Sequence, residues 1–191
     1  MTAVKGENKV YCFSEGEFSV LADACRLRRF LCFESLRGGG TIEKLSRRDY
    51  YQVVYELGKN GILRLDGDEL IMETAVSDMF VICRECTAVA CFYKEEDSRY
   101  TACLYMGKGG RFTLILSGSR TEEYVRMSLH EKEEFEEISR TYIEESRGIR
   151  IFSGDGTKVL EECSTGSGKD GEDVTAKILN MMQKYRVIMG E

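Results

Sequence analysis

The centre of the chain, from Thr87 to Leu129, reads TAVACFYKEEDSRYTACLYMGKGGRFTLILSGSRTEEYVRMSL. Runs of aliphatic, aromatic and β-branched residues alternate here with short segments of Gly, Asp and Ser, a pattern typical of consecutive hairpins. Connections this short allow only antiparallel neighbours, because a parallel crossover needs about a dozen residues or more. The centre of the chain is therefore predicted to be an antiparallel meander. Its predicted strands are Thr87–Lys94, Arg99–Met106, Arg111–Ser117 and Glu123–Leu129.

Side chains alternate in polarity along the last two of these strands. Phe112, Leu114 and Leu116 fall on one side of the third strand. Arg126 and Ser128 share one side of the fourth strand. Successive side chains of a strand point to opposite faces of the sheet, so we expect one face of the meander to be buried and the other to be largely exposed to water. Helices from both ends of the chain are expected to cover the buried face.

The composition is that of a globular chain without a membrane-spanning segment. Of 191 residues, 42% are hydrophobic and 31% are charged. No apolar run reaches the length of about 20 residues that a bilayer requires. The first residues lack the apolar core of a signal peptide, so we expect a cytoplasmic protein. In that compartment the eight cysteines are expected to stay reduced rather than to form disulfides.

Residues before the meander predict a small helical unit that ends in a hairpin. Ser14, followed three residues later by Glu17, is a capping box and predicts the start of a helix. A short helical turn is predicted at Thr41–Leu45, and a further helix is predicted over Ser46–Leu57. An Asp-Gly turn at Asp66, between two strand-like runs, then predicts a hairpin. The order helix, short helix, helix and hairpin is that of a winged helix.

Residues around and after the meander add helices and a second hairpin. Ala75–Cys86 predicts a helix that leads into the meander, and Glu131–Glu145 predicts one with a densely acidic outer face. Two short runs on either side of Gly154 predict another hairpin, and a last helix is predicted at Glu172–Met189. The whole sequence predicts a single α+β domain, a central antiparallel meander flanked by helices, with a winged-helix-like head. Its segments are 1–74, 75–147 and 148–191.

No motif of catalysis or cofactor binding is complete. Cys83 and Cys86 form a CxxC pair, but a zinc site needs a second pair of ligands and a redox site needs a βαβ context. Gly166–Asp170 is similar to a phosphate-binding loop, but aspartate stands where the motif has serine or threonine. His130, the single histidine, has no Gly-x-Ser-x-Gly elbow to accompany it. We therefore expect no catalytic site, metal or cofactor.

The winged-helix order raises the alternative of a DNA-binding protein. The recognition helix would be the one that follows Ser46. The wing would be the hairpin turn Asp66–Glu69, which is acidic where phosphate contacts require cations. The net charge of −6 at pH 7 also disfavours nucleic acid as a partner. The candidates for DNA contact under this alternative are Arg47, Arg48, Gln52 and Lys59.

Several segments share their order and spacing with a known family. Phe13–Leu21, FSEGEFSVL, is similar to the helix that opens this family, and Leu57–Leu63, LGKNGIL, occupies the place of its Leu-x-x-Gly-Leu/Ile segment. A helix then leads into an antiparallel meander, in which Ala88–Tyr93 and Gly110–Ile115 hold matching positions. Over roughly residues 13–145 the chain thus resembles the EspG-like proteins, the cytosolic specificity chaperones of type VII (ESX) secretion.

The resemblance implies a central antiparallel sheet flanked by helical bundles, and no enzymatic activity. It implies a role in holding helical secretion substrates soluble before export, either PE–PPE-like pairs or WXG-like helical hairpins. The family binds its partners through sheet and loop residues, so the nearest candidates are two loops of the meander. The residues concerned are Glu95, Glu96, Arg99, Lys108, Gly109, Gly110 and Arg111.

The helix after Ser46 separates the two leading interpretations, a chaperone-like secretion component and a winged-helix transcriptional regulator with a sensing β-domain. An exposed basic face that includes Arg47 and Arg48 would favour the regulator. Packing of this helix on the meander, with its basic residues dispersed, would favour the chaperone-like protein. The packing residues would then be Tyr50, Val53 and Val54. We favour the chaperone-like protein, and an enzyme ranks third.

Overall fold

The computed structural model describes residues 9–27, 30–31, 45–67, 69–94, 100–117, 124–164 and 174–187. A seven-stranded antiparallel sheet is accompanied by a separate two-stranded hairpin. The strands are Val10–Ser14 (β1), Leu63–Asp66 (β2), Glu69–Met72 (β3), Ala88–Tyr93 (β4), Tyr100–Met106 (β5), Phe112–Ser117 (β6), Tyr124–His130 (β7), Gly148–Ser153 (β8) and Val159–Ser164 (β9). The helices are Glu15–Ala24 (α1), Arg47–Lys59 (α2), Thr74–Glu85 (α3), Phe135–Glu145 (α4) and Val174–Val187 (α5). Among these described helices, none has the length and apolar character needed to cross a membrane.

The predicted meander forms the centre of the large sheet. The strand order is β1-β7-β6-β5-β4-β8-β9, and every neighbouring pair is antiparallel. β4 to β7 are consecutive in this order, as their short connections require. Each begins and ends within one residue of its predicted bounds. The α+β fold with a central antiparallel meander is therefore confirmed, and the β8–β9 hairpin and β1 extend it at its two sides.

The first face of the sheet packs against α1 and α3. Phe18 of α1 lies 4.4 Å from Phe30 and 5.1 Å from Phe80 of α3, measured between ring centroids. Phe30 stacks on Tyr105 of β5 at 5.3 Å. The Tyr105 hydroxyl accepts a hydrogen bond from the backbone N–H of Leu31 at 3.0 Å. The head and the meander therefore share one hydrophobic core.

The second face of the sheet packs against α4 and α5. Phe112 of β6 meets Phe135 of α4 edge to face, with 5.5 Å between the ring centroids. Ile178 and Met182 of α5 are fully buried in the same cluster. Helices that precede the meander thus cover one face and helices that follow it cover the other. The expectation that helices from both ends of the chain cover a single buried face is therefore wrong.

The expectation of a largely exposed second face is wrong for the centre of the sheet. All of β4, Ala88–Tyr93, is buried, and so are Leu104 and Met106 of β5, which pack in the cluster of the second face. β4 reads AVACFY without polar alternation, which is the pattern of a strand covered on both faces. Among the described residues, the second face is exposed at the β1–β7 end, at Cys12, Tyr124 and Arg126.

The head follows the predicted order where it is described. The Ser14 hydroxyl accepts a hydrogen bond from the backbone N–H of Glu17 at 3.3 Å, and the Glu17 carboxylate accepts one from the Ser14 N–H at 2.8 Å. The Ser46 hydroxyl caps α2 by accepting from the Asp49 N–H at 3.2 Å. The short helical turn predicted at Thr41–Leu45 lies, except for Leu45, outside the described residues.

Candidate partner-binding surface

The two meander loops predicted to bind a partner lie at opposite ends of β5. One loop, with Glu95, Glu96 and Arg99, precedes this strand and lies outside the described residues. The other, a 3₁₀ turn at Lys108–Gly110, follows it. Of the two predicted loops, the structure therefore describes only the one that follows β5.

The β5–β6 turn is packed onto its neighbours. Gly109 and Gly110 have φ values of 74° and 84°, a region that glycine enters at little cost. A Cβ atom at Gly110 would lie 2.9 Å from the Cβ of Lys132. Arg111 Nη1 lies 2.8 Å from Asp78 Oδ2 of α3. Arg111 therefore holds the turn against α3, and Gly110 allows its close approach to the segment before α4.

The head carries an exposed apolar surface that lies outside the predicted loops. Its members, which we name the head surface, are Tyr50, Tyr51, Tyr55, Leu65 and Leu70. They are five of the nine large hydrophobic side chains that are exposed in the described part of the chain. Clustered exposed apolar groups mark interaction sites, whereas single ones need no explanation.

Tyr51 and Tyr55 stand in one stripe along α2, between Arg47 and Lys59. Residues four apart are neighbours on a helix surface, and all of these side chains are exposed. The Arg47 guanidinium carbon lies 5.8 Å from the centroid of the Tyr51 ring. Lys59 Nζ lies 3.8 Å from a carboxylate oxygen of Glu56. The stripe is therefore aromatic in its middle and cationic at its ends.

The β2–β3 hairpin extends the apolar surface beyond the core. Leu63 pairs with Met72 across the hairpin, and both pack in the first core. The next pair on the same side is Leu65 with Leu70, whose side chains are 71% and 53% exposed. Because alternate residues of a strand share a face, one apolar row runs from the core out to the hairpin tip.

The candidates for DNA contact are exposed but do not form a basic face. Between them lie the tyrosines and the acidic Asp49 and Glu56. α2 packs on α1, where Val53 meets Gly16, and Tyr50 is 38% exposed instead of lying against the meander. Val53 and Val54 are partly buried against the first core, which the helix shares with the meander, whereas Tyr50 is not. The exposed candidates are Arg47, Arg48, Gln52 and Lys59.

The CxxC pair lies at the end of α3 and is buried. Cys83 is 2% exposed and Cys86 is 8% exposed. The Cys86 thiol donates to the backbone carbonyl of Cys83 at 3.4 Å, and burial raises the pKa of Cys86 to about 12. A buried thiol of this kind is a poor nucleophile, because the thiolate is the reactive form. The described residues hold no group of three or more side chains that could ligate a metal.

A cavity of about 280 Å³ lies on the second face, between the sheet and α4. Leu114 and Leu116 of β6 and Ile138 of α4 supply apolar wall. Ser128 and His130 of β7 supply polar groups. The cavity opens at the β1–β7 end, where the second face is exposed. No sequence motif predicted it, because its walls come from strands and a helix that the fold brings together.

His130 is held in a hydrogen-bonded network at this cavity. Its Nε2 lies 2.7 Å from Ser128 Oγ, and its Nδ1 lies 3.4 Å from Glu134 Oε2. Its ring stacks on Phe112, with 5.2 Å between the ring centroids. Two local features of the sequence could have predicted this network. Alternation along β7 puts Ser128 and His130 on one face, and the 3₁₀ turn Lys132–Glu134 carries Glu134 back to His130.

The network makes stability depend on pH in a predictable direction. Burial lowers the pKa of His130, and Glu134 opposes that shift. In the unfolded chain the histidine becomes protonated near pH 6.5, whereas in the native chain its lowered pKa shifts protonation to a lower pH. Acidification below pH 6.5 therefore favours unfolding. We expect the free energy of unfolding to fall between pH 7.5 and pH 5.5, and to fall less in H130Q. Urea unfolding at both pH values measures the difference, and an equal fall in the two proteins would contradict it.

Comparison with protein-family models, with curated proteins and with solved structures found no match to this chain.

Proposed function

We propose that the chain is a chaperone-like binding component of a type VII secretion system, which holds helical secretion substrates before export. The observation that carries this proposal is the head surface. Its exposed tyrosines and leucines occupy a helix and a hairpin tip that project from the shared core. The antiparallel sheet between helical layers is also the architecture that the resemblance to EspG-like proteins implies. The binding role itself requires no catalytic step.

The chemistry of the head surface suits an amphipathic helix as its occupant. Tyrosine is enriched in protein interfaces, and helices dock by laying an apolar face against an apolar groove or ridge. A partner helix beside α2 would bury the rings of Tyr51 and Tyr55. Leu65 and Leu70 offer a further exposed apolar contact on the β2–β3 hairpin. PE–PPE-like pairs and WXG-like helical hairpins are the helical partners that the resemblance implies. We keep both as candidate partners.

The winged-helix regulator remains the alternative. It is favoured by the helix followed by a hairpin and by the exposed Arg47, Arg48, Gln52 and Lys59. It is disfavoured by the acidic Asp66 at the hairpin and by the tyrosines that interrupt the cations. Because phosphate neutralisation supplies most of the affinity for DNA, these features weigh against strong DNA binding.

Removal of the two tyrosine rings is expected to abolish most partner capture. In Y51S/Y55S, capture of helical secretion substrates should weaken at least tenfold, since one interface hot spot contributes about 2 kcal/mol and 1.4 kcal/mol corresponds to tenfold. The measurement is a pull-down of the tagged protein from its host lysate, with mass spectrometry of the captured proteins. Binding of the identified substrate is then titrated with each purified variant.

Tyr124 provides a matched control. It is 55% exposed, close to the 58% of Tyr51, but it lies on β7 and belongs neither to α2 nor to the β2–β3 hairpin. Y124S should therefore capture the substrate as the wild type does. Equal losses in Y124S and Y51S/Y55S would remove the head surface from the proposal. Recovery of nuclease-sensitive DNA without any helical substrate would instead support the regulator.

A further inference from the structure

We propose that Ser128, His130 and Glu134 form a nucleophilic triad, and that the chain hydrolyses esters or thioesters of short apolar acyl groups. This activity goes beyond partner binding, and it departs from the expectation of a chain without catalysis. The triad lies on the second face of the sheet, whereas the head belongs to the core of the first face. The two proposals therefore rest on separate surfaces.

The three side chains have the mutual contacts that such a triad requires. A nucleophile must lie within hydrogen-bond reach of its base, and a third group must orient that base. Ser128 Oγ lies 2.7 Å from His130 Nε2. Glu134 Oε2 lies 3.4 Å from His130 Nδ1 on the other side of the ring. Glu134 is itself positioned, because its carboxylate accepts a hydrogen bond from the backbone N–H of Glu131 at 3.2 Å.

The carboxylate decides which way the hydrogen bonds run. A neutral imidazole donates from one ring nitrogen and accepts at the other. Glu134 can only accept when ionised, so the proton belongs on His130 Nδ1. Nε2 then accepts, and the Ser128 hydroxyl donates to it. This is the tautomer in which a histidine can take the proton of a serine nucleophile.

The surroundings of His130 keep it ready to act as a base. Its side chain is buried, its ring stacks on Phe112, and burial lowers its pKa. The imidazole is therefore neutral near pH 7, which is the form that accepts a proton. In the absence of substrate the same network gives the buried Ser128 and His130 side chains their hydrogen-bond partners.

The cavity limits the substrate to a small acyl group. Its volume of about 280 Å³ lies at the lower end of ligand pockets. The apolar walls from Leu114, Leu116 and Ile138 suit a short alkyl chain. Arg126 lines the same cavity, two residues before Ser128 on the same face of β7. Its positive charge is suited to stabilise the negative oxygen that develops on an attacked carbonyl.

The reaction can be written with these groups and water. Ser128 Oγ attacks the acyl carbon as its proton passes to His130 Nε2, and the carbonyl becomes an oxyanion beside Arg126. The bond from the acyl carbon to the leaving oxygen or sulfur then breaks, and the imidazolium protonates the leaving alcohol or thiol. Water, deprotonated by His130, attacks the acyl-serine. A carboxylic acid is released, and the proton returns to Ser128.

An alkyl fluorophosphonate probe tests the triad directly, because it phosphonylates activated serines with loss of fluoride. We expect intact-protein mass spectrometry to show one adduct on the folded chain, and peptide mapping to place it on Ser128. S128A should give no adduct, and H130Q should label at least about 100-fold more slowly. Hydrolysis of p-nitrophenyl butyrate should be lost in the same two variants.

The buried Ser139 of α4 supplies the control. S139A should label and hydrolyse at the wild-type rate, and circular dichroism should show that each variant is folded. Absence of an adduct on folded wild-type protein would overturn the triad, and so would an adduct that maps to another residue. Neither result would affect the head surface, which is tested by the Y51S/Y55S pull-down.

Discussion

Replacement of Gly154 by alanine is expected to lower the free energy of unfolding by at least about 4 kcal/mol, which is a large part of the stability of an ordinary domain. The new Cβ would overlap the carbonyl oxygen of Cys86 and would lie 2.7 Å from its carbonyl carbon. Both atoms belong to the backbone, so no side-chain rotation can relieve the overlap. The Gly154 N–H also donates to the carbonyl of Thr87 at 2.8 Å. The overlap could therefore be relieved only if the turn after β8 moved away from the start of β4.

Urea unfolding followed by circular dichroism measures this effect. G58A is the matched control, because the nearest atom to a Cβ at Gly58 in α2 is Leu63 O at 3.8 Å. This change should be neutral or stabilising by up to about 1 kcal/mol, since alanine favours helix more than glycine does. If G154A unfolded at the same urea concentration as the wild type, the close approach of the two segments would be wrong.

Replacement of Phe80 by alanine is expected to cost about 3–5 kcal/mol, the usual range for a buried phenylalanine. Phe80 is fully buried, and its ring centroid lies 6.3 Å from that of Phe13 and 5.1 Å from that of Phe18. It joins α3, α1 and β1 in the first core. The substitution would leave a cavity where these elements meet, and dense packing limits how far the neighbours can close it.

The midpoint of urea unfolding again reports the change. Y124A is the control, because Tyr124 is an exposed aromatic residue, and surface substitutions of this kind usually stay within about 0.5 kcal/mol. A loss below 1 kcal/mol in F80A would mean that the head and the sheet do not share a core.

The central sheet could be predicted from the sequence almost residue by residue. Turns rich in glycine and aspartate bracket β4 to β7, and short connections leave antiparallel pairing as the single option. The burial of the sheet was predicted less well. We weighted the alternation in β6 and β7, whereas the unbroken apolar run of β4 was the better guide to helices on both faces.

The candidate site was less accessible to sequence reasoning. Of the predicted loops, the structure describes the turn at Lys108–Gly110, which packs beside α3. Tyr51 and Tyr55 were missed because a tyrosine in a helix packs in a core or faces water depending on its surroundings. His130 was treated alone, although Ser128 and Glu134 are close to it in the chain. Their contact depends on where β7 ends and on the 3₁₀ turn that follows.

The sequence by itself determined the local course of the chain, namely the strands of the meander, their turns and the capped starts of α1 and α2. These features arise from interactions between residues a few positions apart, which act in the same way in any surroundings. Tertiary structure decided that β1 and the β8–β9 hairpin extend the sheet, that each face receives its own helices, and that the cavity beside His130 exists. Those outcomes depend on burying apolar surfaces from distant parts of the chain against one another, and burial is non-directional, so no short segment specifies its partner.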